Sequence, residues 1–245
     1  MKKIIMANWK MQLSIKESLE LAKQFSKKIK SLQNEVVICP DYSALSFLAP
    51  IFKSTKLSLG AQDCAAYTKG AYTGEVAASN LKSLGVKYVI LGHSERREHL
   101  HENSAIINNK IKSALASKLI PVLCIGEKLT ERNSGETKNY LLEELRHALK
   151  GVKIKSAGDL LLAYEPVWAI STNKNAKAMS AAEADEIQAF IKLQVKKILQ
   201  KEPCILYGGS TSSANYLDYL SQKNIDGLLV GGASLRLAEF TKMVN

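Results

Sequence analysis

The fold that this 245-residue chain predicts is a (β/α)8 barrel, and three observations lead to it. Short apolar runs alternate with longer amphipathic stretches from end to end; eight such pairs can be counted; and the short runs are continuously apolar rather than alternating. Strands buried on both faces read in that way, which favours a parallel sheet covered by helices. Eight β/α units in about 250 residues match a closed barrel, whereas a doubly wound open sheet, the structural competitor, more usually carries six strands.

Taken in order, the strand candidates are Ile4 to Ala7, Val36 to Cys39, Leu57 to Ala61, Tyr88 to Leu91, Ile120 to Cys124, Leu160 to Tyr164, Ile205 to Tyr207 and Leu228 to Val230. They are short and rich in aliphatic and β-branched residues. Between them, apolar residues at helical spacing mark Ile15 to Ile29, shorter helices around Leu45, Leu81 and Ile111, and then Leu141 to Leu149, Ile187 to Leu199, Tyr216 to Leu220 and Leu237 to Met243. No linker, low-complexity tract or one-sided block of charge divides the chain, so residues 1–245 are expected to form one domain.

A hydrophobic content of 46% is ample for a buried core. The 34 basic and 23 acidic residues leave a charge of +11, which suits an anionic partner of some kind. The lysine-rich segments at 27–30 and 195–197 fall on helical patterns and read as solvated faces. Without interleaved stacking aromatics, nucleic acid is not expected as the primary partner. The first apolar run stops at Asn8, too early for a secretion signal, and no window approaches the roughly 18 to 20 apolar residues that cross a bilayer. A soluble, cytoplasmic protein with no membrane partner is expected. Cys39, Cys64, Cys124 and Cys204 are widely spaced with no CxxC, and read as buried, reduced thiols rather than metal ligands or disulfides.

In a barrel of this kind, chemistry gathers in the loops after the carboxyl ends of the strands. The first strand is followed by "NWK", Asn8 to Lys10; the fourth by "GHSERR", Gly92 to Arg97; and the sixth by Glu165 and Pro166. The seventh and eighth are followed by "YGGS", Tyr207 to Ser210, and "GGAS", Gly231 to Ser234, whose glycines uncover backbone N–H groups that can cradle a phosphate. Taken singly, His93 could be a core histidine, Lys10 a solvated lysine, Glu165 an acid paired with an arginine, and the glycine pairs tight turns. His99, His101 and His147 read as surface residues. At successive strand ends, a base, a neutral acid, a cation and a phosphate cradle suit proton abstraction beside a carbonyl in a small phosphorylated substrate.

The segments "ANWKM", "GAYTGE", "GHSERR", "CIGEKLTER", "AYEPVWAI", "YGGS" and "DGLLVGGASL", in this order between residues 6 and 235, closely resemble the triosephosphate isomerase family. That family is the standard example both of the barrel, the TIM barrel, and of this acid/base assignment. The resemblance implies interconversion of dihydroxyacetone phosphate and D-glyceraldehyde 3-phosphate through an enediol or enediolate, in glycolysis and gluconeogenesis, with no cofactor and no metal. It implies Glu165 as the base, His93 as a neutral electrophile, Lys10 as the cation facing the oxyanion and phosphate, Asn8 as a hydrogen-bond donor, and Glu95 as the partner of Lys10. The backbone amides of Ser171, Ser210, Gly231 and Gly232 are implied to bind the phosphate, under a lid running from Pro166 to Ala176. The 64–75 loop is implied to reach into a second subunit through Thr73, making a homodimer.

Two departures stand out. Ser171 and Asn173 occupy lid positions where the family usually has glycine, and Asp63 stands where asparagine is common. Two other readings use the same residues: a barrel lyase or aldolase with Lys10 as a Schiff base, and a non-catalytic basic binding protein. The first is disfavoured by Asn8 and Glu95 beside Lys10, which keep the amine protonated, and the second by the presence of Lys10, His93 and Glu165 together.

Overall fold

The computed structural model describes residues 2–29, 33–170 and 178–244. Eight parallel strands close into a barrel in chain order: β1 (Ile4–Asn8), β2 (Glu35–Cys39), β3 (Ser58–Ala61), β4 (Tyr88–Leu91), β5 (Ile120–Ile125), β6 (Leu161–Tyr164), β7 (Cys204–Tyr207) and β8 (Gly227–Val230). Closure is made by β8 pairing back onto β1, with Ile4 opposite Gly227 and Ala7 opposite Val230. This is the predicted fold class, and each predicted strand is present with its ends shifted by at most one residue.

The helices are α1 (Ile15–Lys28), α2 (Tyr42–Lys53), α3 (Ala78–Ser83), α4 (Ser94–His99), α5 (Ser104–Ala116), α6 (Leu129–Asn133), α7 (Thr137–Ala148), α8 (Ala181–Leu199), α9 (Tyr216–Leu220) and α10 (Leu237–Val244). Helix α8 begins one and a half turns ahead of the expected Ile187, because Ser180 and Glu183 form a capping box whose polar residues carry no apolar period. Helices α4 and α6 were not anticipated: neither buries a residue, so neither carries an apolar stripe that the sequence could show.

The continuous apolar runs are explained by two cores sharing one sheet. Met6, Val37, Ile90, Val122, Ala163 and Leu206 point inward and fill the barrel. Their neighbours Ile5, Val36, Ile38, Val89, Leu123 and Leu162 face the helices. Cys39, Cys64 and Cys124 are buried, Cys204 is half-buried, and all four are free thiols. The two ends of the barrel then diverge. At the amino ends of the strands, ion pairs such as Lys87 with Glu35 at 2.6 Å and Lys192 with Asp226 at 2.8 Å tie elements together. The carboxyl ends carry the loops described next. Among the described residues, no helix is long and apolar enough to cross a membrane.

Candidate active site

At the end of β1, the Asn8 side-chain oxygen accepts the Lys10 backbone N–H at 3.1 Å, which leaves the Asn8 amide N–H groups free to donate into the site. Lys10 sits in the left-handed region, with φ of 50°, a conformation that costs a non-glycine residue about 1–2 kcal/mol. Gln62 braces it by donating from Nε2 to the carbonyls of Lys10 at 2.9 Å and Cys39 at 3.0 Å. Lys10 Nζ in turn lies 2.5 Å from Glu95 Oε1, the pairing expected from sequence. Neither the strained backbone nor the Gln62 brace has a mark in the sequence.

His93 is the N-cap of α4, and its Nδ1 accepts the Glu95 backbone N–H at 3.3 Å. A ring nitrogen that accepts cannot also carry the proton, so the neutral ring is protonated at Nε2, which lies 3.3 Å from Glu165 Oε1. Both side chains are buried, His93 at 5% exposed and Glu165 at 3%. Burial alone pulls the imidazole pKa down, but the Glu165 and Glu95 carboxylates outweigh it and leave the pKa above the ordinary histidine value.

Glu165 leaves β6 with its N–H bonded to the Ile125 carbonyl at 2.8 Å. Two glycines make room for it. A Cβ on Gly208 would lie 2.5 Å from Glu165 Cγ, and one on Gly126 would lie 1.9 Å from the Glu165 carbonyl oxygen. The Cys124 thiol also packs here, and burial first and the Glu165 charge second push its pKa well above the usual thiol range, so it stays an inert neutral group.

The four side chains from β1, β4 and β6 therefore converge as the strand ends suggested. Asn8, Lys10, His93 and Glu165 line one narrow space together with Gly208, Gly209, Gly231 and Gly232. It adjoins a cavity of about 490 Å³ bordered by Asn8, Lys10, Ser210, Thr211, Gly231 and Gly232. Gly232 opens a 3-10 turn, Gly232–Leu235, whose first amides have no carbonyl ahead of them. The Ser210 N–H donates to the Ala169 carbonyl at 3.0 Å, which links the phosphate loop to the stem of the expected lid. That stem is also latched to the β5–α6 loop, where Glu127 accepts from Trp168 Nε1 at 2.9 Å and from the Tyr164 hydroxyl at 3.1 Å. "CIGEKLTER" contains Glu127, but its sequence alone does not say what it touches. Ser171 and Asn173 lie outside the described residues.

The 64–75 loop stands away from the barrel, exposed from Tyr67 through Thr73 to Glu75, with Tyr67 and Tyr72 stacked at 4.0 Å. Large apolar side chains are exposed along the segments that follow β1, β2 and β3: Met11 at 91%, Phe47 at 51%, Tyr67 at 50% and Tyr72 at 43%. Asp63, at the foot of this loop, joins Arg96, Glu102 and Lys110 in a buried ring of charges, with Lys110 Nζ at 2.6 Å from Asp63 and 2.5 Å from Glu102.

Comparison with known proteins shows the family and the fold. The family profile described as Triosephosphate isomerase matches residues 3–245. The chain is 40% identical over 248 residues to the triosephosphate isomerase of Alkaliphilus oremlandii, covering 100% of this chain and 99% of that protein. It is likewise 40% identical over 245 residues to that of Moorella thermoacetica, covering 99% and 97%. The crystal structure of triosephosphate isomerase from Bartonella henselae is similar with a TM-score of 0.89 and 32% identity, over 99% of this chain and 98% of that one.

Proposed function

The chain belongs to the triosephosphate isomerase family and interconverts dihydroxyacetone phosphate and D-glyceraldehyde 3-phosphate, and from that premise we propose the roles of its residues. Glu165 removes a proton from the carbon beside the carbonyl and returns it to the neighbouring carbon. His93 donates its Nε2 proton to the developing oxyanion and recovers it as the charge moves to the adjacent oxygen. The observation that carries this reading is the His93 Nε2 to Glu165 Oε1 approach of 3.3 Å between two buried groups, with His93 Nδ1 held as an acceptor by the Glu95 amide. Burial favours the neutral imidazole, and the Glu165 charge that chiefly raises the His93 pKa against it is lost once Glu165 has taken the substrate proton; the neutral ring can then both give and take a proton.

Lys10, fixed by Glu95, faces the anionic intermediate, and Asn8 donates from Nδ2 to the same oxygens. No cofactor enters, because the carbonyl delocalises the charge. The amides of Ser171, Ser210, Gly231 and Gly232 hold the phosphate, and binding by Ser210 requires its N–H to leave the Ala169 carbonyl. That exchange would release the stem of the 166–176 lid as the phosphate arrives.

The exposed apolar set around Met11, Phe47, Tyr67 and Tyr72 supports a homodimer in which the Thr73 loop completes the partner's site. Free thiols throughout suit a reducing cytoplasm. A coupled isomerase assay tests the assignment: Glu165→Asp and His93→Gln are each expected to lower kcat by about a hundredfold or more, and near-normal turnover in both would overturn it. Sedimentation tests the dimer, with a fully active monomer at assay concentration as the contrary result.

A further inference from the structure

Arg97 follows the catalytic imidazole by one turn of α4, yet it takes no part in the site just proposed. Its side chain turns back toward the barrel and meets three acceptors, two backbone carbonyls at the ends of β4 and β5 and one carboxylate on α7. Nε donates to the Gly92 carbonyl at 2.7 Å, and Nη2 donates to the Cys124 carbonyl at 3.1 Å. Nη1 lies 3.0 Å from Glu144 Oε1 of α7. The other oxygen of that carboxylate, Oε2, accepts the Gly126 N–H at 3.1 Å. Glu144 is 7% exposed, so the pair works in a poorly solvated setting where such bonds hold their geometry.

The groups held by this pair are the immediate supports of the two reacting side chains. Gly92 is the residue before His93. Cys124 and Gly126 flank Ile125, whose carbonyl accepts the Glu165 N–H, and Gly126 packs so closely under Glu165 that a Cβ there would sit 1.9 Å from its carbonyl oxygen. One planar guanidinium thus ties the backbone that carries His93 to the backbone that carries Glu165. We propose that Arg97, with Glu144, is a positioning residue for the isomerase reaction, setting the separation between the base and the electrophile by binding the Gly92 and Cys124 carbonyls and, through Glu144, the Gly126 amide.

A lysine cannot replace it, because the three acceptors need a fixed fork with donors in divergent directions, whereas an ammonium is a point charge on a flexible stem. A displacement of about 1 Å between groups that transfer protons can cost on the order of a hundredfold in rate. Substrate contacts are untouched, so the loss falls on kcat rather than on KM.

This inference rests on the roles proposed for Glu165 and His93, and the experiment separates the two. Beside the pair lies a cavity of about 370 Å³ lined by Gly92, Arg97, Cys124, Gly126, Glu144 and Glu165, wide enough to admit a free guanidinium ion. In Arg97→Ala, kcat per folded subunit is expected to fall by tenfold to a hundredfold with KM within about threefold, and millimolar guanidinium to restore much of it while methylammonium does not. Should Arg97→Ala not fold, Arg97→Lys and Glu144→Ala carry the same comparison, each with a fall in kcat of at least about fivefold and an unchanged KM. Turnover per folded subunit within twofold of normal in these variants, or equal rescue by methylammonium, would overturn the positioning role. Glu165→Gln assayed in parallel isolates the premise: activity retained there defeats the site assignment, whereas activity lost there but kept in the Arg97 variants defeats this inference alone.

Discussion

Two groups of charged side chains meet at α4, and they differ in what each charge is left free to do. In the first, Lys10 pairs with Glu95 at 2.5 Å and His93 faces Glu165 at 3.3 Å, a linear set in which Lys10, His93 and Glu165 line the narrow space bordered by the glycine loops. In the second, Arg96 and Lys110 each reach both Asp63 and Glu102, and the ring closes on itself, with distances between 2.5 and 2.8 Å. Adjacent residues of one short helix serve both: Glu95 belongs to the open set, Arg96 to the closed ring. A charge that faces an open space can act on a substrate, whereas one enclosed in the protein, even with Asp63 Oδ1 and Glu102 Oε2 left without a hydrogen-bond partner among the described residues, can only hold elements together. The ring joins the foot of the 64–75 loop to α4 and α5, and so ties the expected dimer loop to the helix that His93 caps.

The largest contrast between the two comes from removing one member of each. Glu165→Gln is expected to lower kcat by about a thousandfold while leaving Tm nearly unchanged, because the amide fills the same space beside Gly208. Lys110→Met should do the reverse, destabilising the fold by about 3–5 kcal/mol through the carboxylates it strands, with turnover per folded subunit nearly normal. Thermal melts and coupled assays on both variants check this, and a Lys110→Met enzyme that folds normally but turns over slowly would erase the distinction.

A smaller effect sharpens it. Burial, the largest influence, pushes Asp63 up to about 6 even against the attraction of Lys110 and Arg96, whereas hydrogen bonds from Arg96 and Lys110 overcome burial and hold Glu102 below the usual carboxylate range. A carboxyl whose folded pKa lies above its unfolded value binds its proton more tightly when folded. The stability Asp63 contributes is therefore complete below about pH 4 and lost as pH rises through about 6. Asp63→Asn cannot ionise, so relative to the unmodified protein it should gain stability between about pH 4 and pH 8, by at most about 3 kcal/mol. Tm measured across that range gives the sign, and a difference that does not grow with pH would be contrary.

The smallest effect concerns the lid. Ser171→Gly, the residue usual in the family, is expected to change kcat/KM by less than about tenfold, because even a strain on the order of 1 kcal/mol would shift the open–closed balance only modestly. A gain of several orders of magnitude in steady-state assays would show a lid that fails to close.

What the sequence made legible follows the same division. The barrel was readable because its strands are buried on both faces, so apolar runs mark them without help from context. Asn8, Lys10, His93 and Glu165 were readable as candidates because each lies at or within two residues of a strand's carboxyl end, and in a closed parallel barrel all those ends point to one face. The ring of Asp63, Arg96, Glu102 and Lys110 was not, because its members lie on a loop foot, two helices and a connection whose meeting depends on how α5 packs. The same holds for the Gln62 brace, the Glu127 latch on Trp168, and the Arg97 pair with Glu144. Helix α4 carries no apolar stripe, and its N-cap is His93, a residue type outside the usual capping set.

The central claim is that the Glu165 carboxylate carries the proton between the two carbons of the triose. Incorporation of deuterium at the carbon beside the carbonyl, followed in D2O with purified enzyme, tests it most directly, because a carboxylic acid formed by abstraction can exchange with solvent before it returns the proton. The account predicts enzyme-dependent incorporation by the unmodified protein and a loss of about a thousandfold in Glu165→Gln. Incorporation by Glu165→Gln at the rate of the unmodified protein would contradict it.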